Sequence, residues 1–333
     1  MTWSELDWPA LDRLRQKFLS GSAHTGPYWE TPADLASYDL TYGERIGWKW
    51  DQVLRELRLR SWRPASREIF DWGCGSGVAA RRVISCFGAE SFDALTVWDH
   101  SPLACDFAED AARRAFPALR VATATPGLLA ADAPIGLLVL SHVLNELPTS
   151  ALSTLRSLIA RAEAVLWVEP GTHAVSRQLT TLRDELRGTF SVVAPCTHAG
   201  ACPMAAPENY RHWCHFFAPP PAAIYADPEW VKFGQRAGID LRSLPYCFLA
   251  LDRRAPASTA GVLSRVIGRP EHFKPYARLL NCDATGLAEL ELPKRADPAL
   301  FKELDRTKAP LVYRWQREGE KILGGAAYSR AGL

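Results

Sequence analysis

Two groups of residues have the types and spacing to do chemistry. The first is the run Ile69-Phe70-Asp71-Trp72-Gly73-Cys74-Gly75-Ser76-Gly77, in which three glycines follow an apolar stretch. Glycine lets a backbone turn sharply and approach a ligand where a Cβ would clash. Asp99 ends the next apolar stretch, Val97-Trp98-Asp99-His100, where a carboxylate can accept hydrogen bonds from both hydroxyls of a ribose. The second group is Cys196, Cys202 and Cys214, three thiols within nineteen residues of a polar segment that also holds His198, His212 and His215. Thiols gathered this closely in a reducing compartment point to a metal rather than to disulfides.

The glycine spacing narrows the cofactor. A dinucleotide turn reads G-x-G-x-x-G, and Val78 stands where its last glycine would be. The tighter G-x-G-x-G behind Asp71 resembles motif I of class I methyltransferases. The turn is therefore read as an S-adenosylmethionine (SAM) site carried by Asp71, Gly73, Gly75, Gly77 and Asp99, with a nicotinamide or flavin, or a purely structural turn, as alternatives. Methyl transfer is an in-line displacement at a sulfonium, in which positioning supplies much of the rate. The candidates to face the methyl group are His142, Asn145 and Glu146, in Ser141-His142-Val143-Leu144-Asn145-Glu146-Leu147-Pro148. The alternative is that Asn145 and Glu146 open and cap the next helix. The chain has no Asn/Asp-Pro-Pro-aromatic motif and no Pro-Cys pair after this strand, so the methylated atom is not specified.

The metal is open between zinc and an iron–sulfur cluster. Structural zinc favours close C-x-x-C pairs, absent here, whereas clusters take four thiolates at irregular spacing. A fourth ligand would be Cys282, Cys247 or a histidine. Cys247 lies in the apolar run Tyr246-Cys247-Phe248-Leu249, where cysteine usually packs as a small core residue. Cys282 precedes Asp283 at a strand end and is favoured.

These residues need a scaffold. The 333 residues are 47% hydrophobic with a net charge of +2. That is enough for a sizeable core, and it argues against a histone-like polycation. Leu11, Leu14 and Phe18, then Trp50, Val53, Leu54 and Leu57, recur at helical spacing, with a break near Gly21 and Gly26, and predict a helical cap over 1–65. From 66 to 254 short apolar runs alternate with helical stretches: strands at 68–72, 95–99, 119–122, 136–141, 164–169, 191–194 and 246–251, helices at 77–87, 101–115, 149–162 and 173–187. That alternation predicts a mostly parallel α/β sheet of the Rossmann-like, class I SAM-methyltransferase kind, interrupted by a Cys-rich insertion at 195–242. A small β-containing unit over 255–323 would complete the metal site, Leu287–Leu292 being its clearest strand, and a frayed tail would follow from Gly324. The first thirty residues lack the apolar core of a secretory signal and carry acids unlike a transit peptide. A cytosolic location is expected, with no membrane span.

Taken together, these stretches resemble the methyltransferase-like family of mitochondrial small-ribosomal-subunit assembly factors and their bacterial relatives. The resemblance is carried by Ser141–Leu147, Val168-Glu169-Pro170-Gly171-Thr172, Ala194-Pro195-Cys196-Thr197-His198, Cys202-Pro203, Trp213-Cys214-His215-Phe216, Leu292-Pro293-Lys294-Arg295 and Phe301-Lys302. It implies a class I methyltransferase fold and a [4Fe–4S] cluster on Cys196, Cys202, Cys214 and Cys282. It also implies association with the small ribosomal subunit or its rRNA, and so a part in ribosome biogenesis and translation, with no DNA partner. Two departures stand out: Ala218-Pro219-Pro220-Pro221-Ala222-Ala223 replaces a basic stretch, and Thr197 replaces a proline.

Three functions follow as expectations. One is an rRNA methyltransferase, the second a non-catalytic assembly factor that holds SAM and cluster as structural parts, and the third a zinc-containing methyltransferase of a small molecule. Residues 253–308 carry eleven Lys or Arg against seven Asp or Glu, and Lys294, Arg295 and Lys302 are the expected RNA contacts.

Overall fold

The N-terminal residues form helices α1 (Trp8–Leu19), α2 (Pro32–Tyr38) and α3 (Glu44–Leu59), the first two started by recognisable signals. Asp7 caps α1 by accepting the Ala10 N–H, and Thr31 with Asp34 forms a capping box on α2. Such a cap contributes about 1 kcal/mol. Here it also fixes the chain entering α2, where Tyr28 and Trp29 pack with Leu14 and Leu35. A five-residue π-helical turn, Asp39–Gly43, joins α2 to α3.

This computed structural model describes residues 1–20, 28–130, 132–147, 151–255, 262–306 and 311–328. Gly21, Gly26 and Pro148 lie outside them, as do residues 149–150 of the fourth expected helix and the end of the expected tail. The chain forms two units. The first comprises Met1–Leu54, Arg63–Glu169 and Pro220–Leu244, and the second Arg55–Trp62, Pro170–Pro219 and Pro245–Leu333.

The first unit is built on parallel strands β1 (Glu68–Trp72), β2 (Ala94–Trp98), β3 (Arg120–Thr123), β4 (Ile135–Ser141) and β5 (Ala162–Pro170). They lie in the order β3-β2-β1-β4-β5. Helices α4 (Val78–Phe87), α5 (Pro102–Ala115), α6 (Pro126–Ala130) and α7 (Ala151–Arg161) connect them. β4 and β5 are buried almost throughout, the burial expected of parallel strands covered by helices. The chain runs outward from β1 to β3, then returns to place β4 on the other side of β1. That reversal is the topological switch point at which α/β sheets bind ligands. The mostly parallel α/β sheet and class I methyltransferase-like fold read from the sequence are those of the structure.

In the second unit α8 (His173–Leu186) is followed by β6 (Ser191–Ala194), β7 (Phe216–Phe217) and β8 (Pro245–Asp252), with β6 and β7 both antiparallel to β8. The segment expected as one insertion divides: its cysteine part belongs to the second unit, and α9 (Pro228–Ala237) to the first. The chain then forms a closed barrel of β9 (Ser264–His272), β10 (Tyr276–Asp283), β11 (Gly286–Pro293), β12 (Val312–Glu318) and β13 (Lys321–Ala327). The order around the barrel is β10-β11-β13-β12-β9. Helix α10 (Pro298–Leu304) adds Leu300 and Leu304 to a barrel core of Val266, Leu279, Leu290, Leu292, Tyr313 and Ile322. The stretch from Gly324, expected as a frayed tail, begins inside β13. Glycines and alanines hid this strand, which is held by pairing with β12 rather than by its own apolar pattern. No helix among the described residues is long and apolar enough to cross a membrane.

Candidate functional site

The carboxyl ends of β1, β2 and β4 open onto a cavity of about 360 Å³, within the range of roughly 300–1,000 Å³ typical of ligand pockets. Gly73, Gly75 and Ser76 from the glycine turn, Asp99 and His100 after β2, and His142 and Glu146 after β4 all line it. The turn is drawn toward β2 by two N–H groups, of Gly73 and Cys74, that donate to the Trp98 carbonyl at 2.7 and 3.0 Å. Gly75 has φ +52° and nothing within 4 Å of where a Cβ would stand, so its backbone faces open pocket. Gly77 serves another purpose. A Cβ there would come within 2.9 Å of the Ala108 Cβ, so this glycine lets α4 start close to α5. Gly77 and Asp71 do not line the pocket. Asp71 is buried in β1, where burial pushes its carboxyl up to about 7.

Asp99 is fixed from three sides. Its carboxylate accepts the Gly75 N–H and the Ser101 N–H, each at 3.0 Å, and stands 3.2 Å from His100 Nδ1. Burial raises its pKa and the neighbouring His100 opposes the rise. Tyr28, whose ring lies 5.9 Å from that of His100, donates its hydroxyl to Glu146 at 3.0 Å. Burial, reinforced by the charges of Asp99 and Glu169, pushes Glu146 up to about 8, the Tyr28 hydrogen bond opposing it. His142 sits at φ +59° with Nε2 at 3.4 Å from Lys49 Nζ. Burial first, then the Lys49 and Arg45 charges, hold its pKa well below the usual imidazole value, so it is neutral. Asn145 is exposed and outside the lining. Residues 142–147 form no helix; the next helix begins at Ala151, so Glu146 does not open one.

The turn after β4 is held by a residue that sequence reasoning did not single out for a role. Glu169 Oε1 accepts the N–H groups of Val143 and Leu144 at 3.0 and 3.1 Å and the Trp167 indole at 2.7 Å. The pocket also takes Tyr28, Trp29 and Tyr38 from the N-terminal helical region. Nothing in their local pattern distinguishes them from core aromatics; only the fold brings them to the glycine turn.

The second candidate site lies in the second unit. Arg60 donates to the carbonyls of Val193, Pro195 and Cys196 at 2.8–3.1 Å, fixing the chain as it leaves β6. Arg183 of α8 donates to the carbonyls of Gly200 and His198, and Asp184 accepts the Cys202 N–H at 3.0 Å. Ser176, also on α8, donates to the Cys214 carbonyl at 2.6 Å. One helix thus anchors the loop backbone at His198, Gly200, Cys202 and Cys214.

The cysteine favoured as the fourth ligand lies in the barrel. Cys282, near the end of β10, has its Sγ 3.9 Å from His198 Nε2. Around it Asp283 accepts from Ser264 and Asn281 at 2.9 and 3.0 Å, fixing the strand end. Burial pushes the Cys202 thiol up to about 11, with the Cys196 charge adding to the rise. Burial likewise raises Cys214 and Cys282, and each is raised further by Cys196 and Cys202. Cys196, Cys202, Cys214 and Cys282 therefore lie close enough to feel one another's charge. Cys247 stands apart from that set in one respect and near it in another. Its Sγ donates to the Pro170 carbonyl at 3.4 Å, yet it shares a cavity of about 30 Å³ with Cys196, Cys202 and Cys214. Cys282 does not line that cavity, and the charges of Cys196 and Cys202 act on it from nearby. Among the described residues no three His, Cys, Asp or Glu side chains converge into a ready-made ion site.

No curated protein matches the chain in sequence. Among solved structures it is similar to TrmK of M. capricolum in complex with S-adenosyl-homocysteine (9% identity, 62% of this chain and 71% of that one, TM-score 0.34). It is also similar to the magnesium protoporphyrin IX methyltransferase ChlM from Synechocystis PCC 6803 with bound SAM (16%, 54% and 85%, TM-score 0.34). A third is the ribosomal protein L11 methylase from Lactobacillus delbrueckii subsp. bulgaricus (19%, 44% and 72%, TM-score 0.32). These likenesses are distant and assign no activity. A family model matches residues 51–303, well over half of the chain, and spans the glycine turn and Cys196, Cys202, Cys214 and Cys282. The chain belongs to the family described as mitochondrial small ribosomal subunit Rsm22.

Proposed function

We propose that this chain is a SAM-dependent, methyltransferase-like protein that acts on the small ribosomal subunit or its rRNA. The observation that carries the reading is the pocket at the switch point, where Gly75 presents bare backbone beside a buried Asp99. In this reading Asp99 meets the ribose, Gly73 and Gly75 admit the amino-acid and sugar end of SAM, and Asp71 and Gly77 shape the turn from beneath. When bound, SAM would supply the methyl carbon to a nucleophilic atom of the substrate, its carbon–sulfur bond breaking so that the sulfonium leaves as a neutral thioether and the substrate gives up a proton. Neutral His142 lines the pocket and is able to take that proton, and Glu146 beside it can do so only once ionised, above about 8.

The cysteine set fits a [4Fe–4S] cluster on Cys196, Cys202, Cys214 and Cys282. The fit rests on donor chemistry: four thiols come from one loop and one barrel strand, and burial and neighbouring thiolate charge disfavour the thiolates of Cys202, Cys214 and Cys282 until a cationic centre compensates them. When bound, the cluster would tie the cysteine loop to β10. The family description is mitochondrial. The cytosolic expectation therefore gives way to a coarser one, the compartment in which a small subunit is assembled.

Calorimetry tests the pocket. Gly75→Asp places a charged side chain in the open space above the turn and should abolish SAM binding. Unchanged affinity would overturn the assignment.

A further inference from the structure

The barrel has a topology that none of the sequence motifs disclosed. Numbered along the chain, its strands close in the order one-two-three-five-four, with a helix between the third and fourth. The third and fifth run parallel and the other pairs antiparallel. This is the connectivity of the OB-fold, a Greek-key barrel whose second and third strands and first turn commonly receive oligonucleotides. Fold alone does not assign a ligand, so the surface must be read for itself.

The first turn, between β9 and β10, carries Phe273, an exposed large apolar side chain at 41%. Its ring stacks on Tyr276 at 4.8 Å and 24°, and the Arg278 guanidinium lies 5.5 and 5.7 Å from the two ring centres. Lys274 is exposed between the rings in sequence. The Lys294 N–H donates to the Pro275 carbonyl at 2.8 Å, which brings the exposed Lys294 and Arg295 to the same end of the barrel. The outer positions of β11 are acidic: Glu289 and Glu291 are exposed, Glu291 donates its N–H to the Glu320 carbonyl at the β12–β13 turn, and its carboxylate takes the Arg278 guanidinium at 3.5 Å. Arg278 is thus shared between the rings and that acid, and phosphate is favoured at the end that carries Lys274, Lys294 and Arg295 and disfavoured along the acidic side.

We propose that Phe273 and Tyr276, flanked by Lys274, Arg278, Lys294 and Arg295, form a stacking platform for unpaired RNA bases. This deepens the reading of small-subunit association and rests on it for the identity of the RNA. Aromatic faces accept bases of any sequence when those bases are not already stacked in a duplex, and the cations hold the backbone. The binding is therefore selective for single strands, tolerant of sequence and weakened by salt.

The test uses the full chain and a fluorescent oligouridylate of about 12 nucleotides, within the roughly 4–16 that one such barrel covers. Anisotropy should show tighter binding to the single strand than to a duplex of equal length. Phe273→Ala should weaken single-strand binding about tenfold or more, and Phe273→Trp should restore it. Circular dichroism checks that the exposed substitutions leave the fold intact. Equal binding by Phe273→Ala, or preference for the duplex, overturns the platform. A surface that binds intact small-subunit particles but no bare RNA overturns it too, in favour of protein docking, while leaving small-subunit association in place. Oligonucleotide binding without cosedimentation on small-subunit particles would keep the platform and reject that association.

Discussion

The two candidate sites are encoded in opposite ways. The pocket of the first unit grows from one continuous strand–turn–helix: Asp71 to Gly77 create the turn, and Asp99 arrives one strand later. The thiol set of the second unit draws on a loop over residues 196–214 and on Cys282, a barrel residue far along the chain. The first depends on backbone freedom at a few glycines. The second depends on Arg60, Arg183 and Asp184, whose side chains hold loop backbone in place. A local motif can be found by its spacing; a dispersed one can be found only by residue type.

That contrast explains what was legible. The strands of the sheet could be read because they are short apolar runs bounded by turns or helices, and β1, parallel, and β6, antiparallel, both have the bounds expected of them. The barrel was harder. Only β11 alternates clearly, with Leu290 and Leu292 inward and Glu289 and Glu291 outward. β13 is a small-residue strand, and its place is set by pairing partners remote in sequence. At the site, glycines and cysteines announced themselves. Tyr28 did not, since a tyrosine following Gly26-Pro27 has no pattern that foretells a hydrogen bond to Glu146.

If the two regions are chemically separate, substitutions in one should spare the other. The largest effect is expected at the thiols. Protein purified without oxygen should be brown with about four irons per chain. Cys282→Ser should lose most of that iron, Cys247→Ser should keep it, and both should bind SAM as the unaltered protein does. Iron analysis and absorbance give the answer; bleaching by Cys247→Ser but not Cys282→Ser would exchange the fourth ligand, and stoichiometric zinc without iron would remove the cluster.

A smaller effect is expected on the barrel. Lys294→Glu with Arg295→Glu should weaken binding to small-subunit rRNA about tenfold and make its salt dependence shallower, because each lost phosphate contact lowers the slope by about 0.7 for single strands. Loss of the cluster should weaken the same binding by loosening the barrel from the cysteine loop. Filter binding at several salt concentrations would show it, and unchanged binding by both proteins would place the RNA elsewhere.

The smallest effect sharpens the pocket itself. Glu146 titrates near 8 because of burial and the charges of Asp99 and Glu169. Below that pH it is neutral and above it anionic, so raising the pH should favour the cationic sulfonium of SAM over neutral S-adenosyl-homocysteine by a few-fold, on the order of 1 kcal/mol for a screened charge. Glu146→Gln should flatten that dependence. Competition calorimetry from pH 6.5 to 9 (a range chosen to span about 8) would reveal a pH-independent preference if the carboxyl does not face the sulfonium.

The most direct test of the account follows the methyl group. Immature small subunits incubated with tritium-labelled SAM and the full chain should acquire label in their rRNA, and Gly75→Asp should leave them unlabelled. Tight SAM binding with no label in any subunit component would contradict methyl transfer and leave the chain as an assembly factor that holds SAM without using it.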